Sequence, residues 1–169
     1  AFSNVIDQDL LRRSNQMEHA VLILPKGEGN VGCPCIRVDN PRLAFAQIVE
    51  EFFVPKHTPG IHATAVVDPD SEIDPTASIG PFCVIGPGCK IGAETVLHKH
   101  VVLSKNISIG KNCVLWSHCV LGEDGFGIER SPGALQKRIP HLGGVVLGDG
   151  VHIGNFTAIV GGTIEPTRI

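Results

Sequence analysis

From Ile61 onward, hydrophobic positions recur every six residues. Ile61, Val67, Ile73, Ile79, Ile85, Ile91, Leu97, Leu103, Ile109, Leu115 and Leu121 form eleven consecutive aliphatic positions at that spacing. Four residues after each comes a small or apolar one: Ala65, Ser71, Ala77, Cys83, Cys89, Thr95, Val101, Ile107, Cys113, Cys119 and Gly125. The residue directly after the aliphatic is often Gly or Asp, as at Asp68, Asp74, Gly80, Gly86, Gly92, Gly110 and Gly122. A helix repeats at 3.6 residues and a flat strand at 2, so neither yields a strict period of six. One short strand plus one turn does. Three such units close a triangular coil of about 18 residues, and coils stack as parallel strands about 4.8 Å apart. The aliphatic side chain points to the axis of the prism, and the small residue sits inside near a corner. Gly and Asp are expected at the turns for their tolerance of unusual backbone angles.

The phase breaks after Gly125. Residues 126–140 are polar and rich in Gly and Pro, which predicts an excursion loop. The period resumes with Leu147, Ile153 and Ile159, breaks again over residues 161–167, and Ile169 reads as the start of another strand, so the natural protein is expected to continue. Residues 1–54 lack the repeat. They predict a short helix over 7–15 capped by Asp7, a buried strand over 20–24, a Gly-rich turn over 26–34 and a strand over 35–38. A second helix follows, with Asn40 as cap and Pro41 in its first turn. Its apolar stripe of Leu43, Phe45, Ile48, Val49, Phe52 and Phe53 reads as a packing face. The organisation is a partial, nucleotide-binding-like α/β domain over 1–54, a linker over 55–60, and a parallel β-helix over 61–169 with its excursion at about 126–140. The fold class is mostly β.

Composition narrows the functional classes. Of 169 residues, 20 are Gly and 12 Pro, too many for a helical bundle. The net charge of −3 argues against general nucleic-acid binding, and no apolar run reaches the ~20 residues of a membrane helix. Six Cys match no zinc spacing. Four of them, Cys83, Cys89, Cys113 and Cys119, fall on small inward positions and read as core thiols, which suits a reducing, cytoplasmic setting.

Several segments go beyond the repeat. Residues 38–46 (VDNPRLAFA) lead into 59–66 (PGIHATAV); Asp124-Gly125-Phe126-Gly127-Ile128 opens the excursion; and residues 137–149 (KRIPHLGGVVLGD) close it. Together they resemble the UDP-3-O-acylglucosamine N-acyltransferase family of hexapeptide-repeat acyltransferases, of which this chain reads as a truncated or divergent member. The resemblance implies a left-handed β-helix, a homotrimer, acyl carrier protein as donor of a (hydroxy)acyl group, a UDP-linked acylglucosamine as acceptor in lipid A biosynthesis, and no cofactor. It implies substrate contacts at Phe2, Gly125, Phe126, Gly127 and His141. In the family a catalytic His lies about one coil beyond Ile169, and an Asp-Arg pair stands where this chain has Val160 and Gly161, so the chain alone is expected to have little activity.

The chain has eight His. His100 and His118 are one coil apart, and are candidate stacked bases or, alternatively, a turn-adjacent surface pair. His62 and His98 read as plain surface, and Trp116 and Phe126 as interface or loop anchors. Two further functions stay open: a trimeric scaffold without catalysis, and a metal-binding β-helix of the γ-carbonic-anhydrase kind, which calls for an H-x4-H pair and an earlier His. No metal site is assigned.

Overall fold

The computed structural model describes residues 3, 8–16, 20–27, 31–130, 132, 133 and 135–169. The chain divides into two compact units, Ala1–Lys56 and His57–Ile169.

In the first unit, helix α1 spans Gln8–Ser14 and strands β1 (Leu22–Pro25) and β2 (Cys35–Val38) pair in parallel, with Leu22 opposite Cys35. The expected Asp7 cap lies outside the described residues. Leu22, Leu24, Leu10 and Cys33 form its small core. Helix α2 (Pro41–Phe53) starts as its sequence predicts: Asn40 accepts a hydrogen bond from the Leu43 amide at 3.0 Å, and Pro41 occupies the first turn. The apolar stripe differs from expectation. Phe45, Ile48 and Val49 are half-buried, whereas Leu43, Phe52 and Phe53 are exposed. The two-stranded sheet is too narrow to cover the whole stripe.

The second unit is a left-handed parallel β-helix of three five-stranded sheets. The first face carries Gly60–Ile61, Ser78–Ile79, Val96–Leu97, Val114–Leu115 and His152–Ile153. The second carries Val66–Val67, Val84–Ile85, Val102–Leu103, Val120–Leu121 and Ala158–Ile159. The third carries Glu72–Ile73, Lys90–Ile91, Ile107–Ile109, Val145–Leu147 and Thr167–Arg168. Strand partners below the excursion are separated by one plain coil, as in Val66 opposite Val84. Across the excursion Ile109 lies opposite Leu147, so the loop lengthens one corner and leaves the stack intact. Val146 lies opposite Arg168, again further along the chain than a plain coil would reach, so a second and shorter insertion sits at that same corner. The excursion also forms a two-stranded antiparallel hairpin, Ile128–Glu129 with Lys137–Arg138.

The inward aliphatics pack as one core in which Ile85, Leu97, Leu103, Leu115 and Leu121 are at most 1% exposed. The four inward thiols join it, are free, and are fully buried. Burial pushes the Cys83, Cys89 and Cys119 thiols above their ordinary pKa.

The glycines after the aliphatic serve a different purpose from the one expected. Most have ordinary backbone angles. A Cβ on Gly86 would overlap the Ser104 carbonyl oxygen, and one on Gly92 would come within 2.6 Å of the Gly110 carbonyl oxygen. They allow the next coil to approach. Left-handed backbone angles fall two residues later, at Gly88, Glu94, Asn106, Asn112 and Gly150 among others.

Leu103→Ala should cost about 2–5 kcal/mol, the usual range for a buried leucine. Gly86→Ala should destabilise as well, although its backbone angles suit alanine. Denaturant unfolding of both variants checks this, and a Gly86→Ala midpoint equal to wild type would disprove the steric account.

Candidate functional site

Two corners of the prism gather the candidate residues. The first joins the first face to the second. Three residues after the inward aliphatics of the first face, successive coils place Phe82, His100, His118 and Phe156. Their rings form a ladder: Phe82 stacks on His100 at 5.1 Å, His100 on His118 at 4.8 Å, and His118 on Phe156 at 4.8 Å. All four have left-handed backbone angles, with φ of 59°, 59°, 65° and 57°. At about 1–2 kcal/mol per residue, this conformation is costly for anything but Gly, Asn or Asp. Each stacked pair returns about 0.5–1.5 kcal/mol. Three contacts return about 1.5–4.5 kcal/mol against about 4–8 kcal/mol for four strained residues, so stacking offsets only part of the backbone cost in the isolated prism.

His100 and His118 therefore stack as their spacing predicts. Their planes differ by 6°, so their in-plane nitrogen lone pairs do not converge on one point, which is unsuited to sharing a metal ion. Among the described residues, no three His, Cys, Asp or Glu gather closely enough to hold one. His57 and His62 have the H-x4-H spacing that a metal-binding β-helix would use. The His57 ring meets His98 edge-on at 5.0 Å, while His62 Nδ1 pairs with Thr64 Oγ1 at 2.9 Å, so the two rings are occupied separately.

His98 departs from the expectation of a plain surface residue. It stacks on Trp116 at 4.3 Å, and His57 covers it from the side. Its Nε2 is buried with no hydrogen-bond partner among the described residues. Burial pushes the imidazole pKa below its ordinary 6.5, and the charges of His57 and Lys99 act in the same direction.

The second corner joins the second face to the third and carries the excursion. Its base is a clasp. The Gly125 amide donates to His141 Nδ1, and the His141 amide donates to Asp124 Oδ1 at 3.0 Å. A Cβ on Gly125 would strike the His141 ring, so any larger residue there would displace the ring from its place against the Gly125 amide. With Nδ1 accepting, the neutral ring carries its proton on Nε2 and presents a donor. Gly127 packs near Ile139, and Phe126 is 88% exposed at the start of the loop. Val160 and Gly161 also lie at this corner, where the Val160 carbonyl accepts from the Thr167 hydroxyl at 2.8 Å. Phe2 lies outside the described residues.

The structure thus joins Gly125 to His141 and His100 to His118, and within one chain it leaves the two groups on different corners. Sequence reasoning missed Phe82 and Phe156 as members of the ladder and Trp116 as the partner of His98. Reading every corner position one coil at a time finds Phe82, and Phe156 appears once the excursion is subtracted.

The architecture and its corner insertion define a hexapeptide-repeat β-helix protein. Residues 60–169 match the family model described as GMPPB C-terminal domain, and the chain belongs to that family. It is 47% identical to the UDP-3-O-acylglucosamine N-acyltransferase of Thermosynechococcus vestitus, over 89% of this chain and 50% of that protein. A protein of the same name from Gloeothece citriformis is 42% identical over 31% of this chain and 17% of its own length. These relatives bear out the recognition made from the helix and loop segments. The chain spans about half the length of the first. Among solved structures, UDP-N-acetylglucosamine O-acyltransferase from Moraxella catarrhalis superposes with a TM-score of 0.57 at 30% identity, over 64% of this chain and 40% of that one. The UDP-N-acetylglucosamine acyltransferase of Francisella novicida gives a TM-score of 0.51 at 34% identity, over 59% and 33%.

His98 generates a pH prediction. Its folded pKa lies below its unfolded value, so below about pH 6.5 the unfolded chain binds a proton that the folded chain resists. Stability attributable to His98 is complete above that pH and declines as pH falls. Thermal melts from pH 8 to pH 5 should fall less steeply in His98→Phe than in wild type. Parallel profiles would disprove the assignment.

Proposed function

We propose that this chain is part of an N-acyltransferase that moves a (hydroxy)acyl group from acyl carrier protein to the amine of a UDP-linked acylglucosamine, a step of lipid A biosynthesis in the cytoplasm, and that it works as a homotrimer. The likeness to the Thermosynechococcus vestitus enzyme along 89% of the chain carries this reading. In the reaction the sugar amine attacks the thioester carbonyl carbon, the C–S bond breaks, and the amine proton passes through a base to the departing thiolate. Backbone amides stabilise the developing oxyanion.

The residues divide these tasks unevenly. His141, with Nδ1 held by the Gly125 amide, offers an Nε2–H donor to an acceptor oxygen on the sugar nucleotide and does not act as the base. Gly125 and Gly127 let the loop backbone approach the substrate, and Phe126 provides an exposed ring for it; Phe2 is the candidate stacking partner for the uracil. His100 and His118 are candidates for a substitute base, though their faces are already committed to the ladder. The family's own base falls on a later coil. A trimeric scaffold without catalysis is the second reading, favoured by Val160 and Gly161, which offer no ionisable group at the loop corner.

Titration with a UDP-3-O-acylglucosamine tests the proposal. Binding should weaken by roughly 3- to 10-fold in His141→Ala, the loss of one neutral hydrogen bond, and recover in His141→Gln, whose amide replaces the donor. An absence of binding by wild type would overturn the reading. Transfer by this chain alone should be slower than by an extended chain by about 100- to 10,000-fold, the contribution of a general base.

A further inference from the structure

The residues that follow the inward aliphatics of the first face form a column of their own: His62, Gly80, His98, Trp116 and Gly154 on five successive coils. His98 lies parallel to Trp116 within 8°, with ring centroids 4.3 Å apart. Rings stacked at about the coil rise lie across the prism axis. One indole face therefore rests on His98, and the other turns to the next coil. That coil supplies Gly154, since Leu115 lies opposite Ile153 and the Trp116 amide donates to the Ile153 carbonyl at 2.9 Å. Among the described residues no second ring covers the indole, and Trp116 is 43% exposed despite its stack. A Cβ built on Gly154 would meet only Thr157 Oγ1, at 3.9 Å. In the neighbouring ladder the same coil does carry a ring, Phe156 on His118, so a ring fits at that height. We propose that the space over Gly154 is a stacking slot, which takes a planar, N–H-bearing heteroaromatic ring of the kind a nucleobase presents onto the open face of Trp116.

The slot is ordered before a ligand arrives. His98 supports the indole from below, and His57 meets His98 at 5.0 Å. A ring settling on Trp116 gains its stacking contact without first fixing a mobile side chain. Thr157 sets the chemistry at the edge. Its hydroxyl donates to the Gly154 carbonyl at 2.8 Å, so toward the slot it offers lone pairs alone and calls for a donor. A hydrocarbon ring satisfies the indole and leaves that acceptor unanswered, whereas a base with an N–H on its rim satisfies both. The indole is bicyclic, so a bicyclic base overlaps it more fully than a single ring. The slot stands at the end of the first face, and His141 with its loop stands at the corner between the second and third. Within one chain the two are separate, and the inference does not rest on the enzymatic reading.

Trp116 is the sole tryptophan, so its emission reports on the slot alone. The experiment titrates the intact chain with adenosine, a probe that leaves the uracil contact proposed for Phe2 out of the readout. Adenosine should quench Trp116 saturably. Gly154→Leu fills the slot, and it should weaken binding by about 5- to 150-fold, the value of one base–aromatic stack, with unchanged far-ultraviolet circular dichroism. Trp116→Leu, followed by equilibrium dialysis, should lose binding to the same degree and decides the matter if Gly154→Leu fails to fold. Purine riboside, the same base without its amino group, should bind roughly 3- to 10-fold more weakly than adenosine, and Thr157→Val should erase that difference. An unquenched wild type at the solubility limit of adenosine, or a folded Gly154→Leu that binds as wild type does, would overturn the proposal. Equal affinities for adenosine and purine riboside in wild type would overturn the part given to Thr157.

Discussion

Every feature of the prism depends on one hydrogen-bond register. Val66 donates to the Cys83 carbonyl at 2.8 Å, Val84 to Val101 at 2.9 Å and Val102 to Cys119 at 2.9 Å, so each coil hangs on the next at an offset that holds identical positions above one another. Once that register is set, a side chain belongs to a column before it belongs to a local motif. The inward column must be aliphatic because no water reaches it. The column after it must be small where the next coil's carbonyl lies close. The column two further on must accept a left-handed backbone. Sequence choices that look independent along the chain are choices about a whole stack of neighbours.

The register also explains where variation is allowed. A long excursion at one coil and a short one at the next are inserted at the same corner, and Val120 still donates to the Thr157 carbonyl at 2.9 Å across the break. Loop closure costs rise only slowly with length, so a corner can lengthen cheaply as long as both ends return to the stack. The ends are tied by Asp124, Gly125 and His141. An insertion on a face would interrupt a strand and break the column, whereas an insertion at a corner projects outward and leaves the core unchanged. The loop for which substrate contacts are proposed thereby stands on a base hydrogen-bonded to itself at Asp124, Gly125 and His141.

Much of this is legible because the period is so strict. The eleven aliphatics, the core thiols, the excursion and the His100–His118 stack all follow from counting in sixes and in whole coils. What escapes is equally specific. The glycine after the aliphatic reads as a turn former because glycine usually is one, and only the approach of the Ser104 carbonyl to Gly86 reveals a steric reason. His98 reads as surface because a residue just after the inward aliphatic points outward, although Trp116 stands one whole coil on in the same column, and because its lateral partner His57 comes from before the repeat, where counting in sixes gives no guide. The helix stripe of Leu43, Phe52 and Phe53 reads as buried because amphipathicity records which side is apolar and says nothing of whether a neighbour is wide enough to cover it.

The ladder shows how a repeat can carry information beyond its own stability. At the equivalent turn of the other two corners the chain uses Gly88, Asn106, Asn112 and Gly150, residues that tolerate the left-handed conformation, alongside Glu94. At the ladder corner it uses four rings in succession. Stacking offsets only part of the backbone cost within the column, so the prism carries the choice at a net cost. Nothing in the register requires rings there, since asparagine or glycine would hold the same turn at lower strain. The four rings therefore mark a place where the sequence departs from what the coil register alone would select, at a cost the core of the prism has to carry.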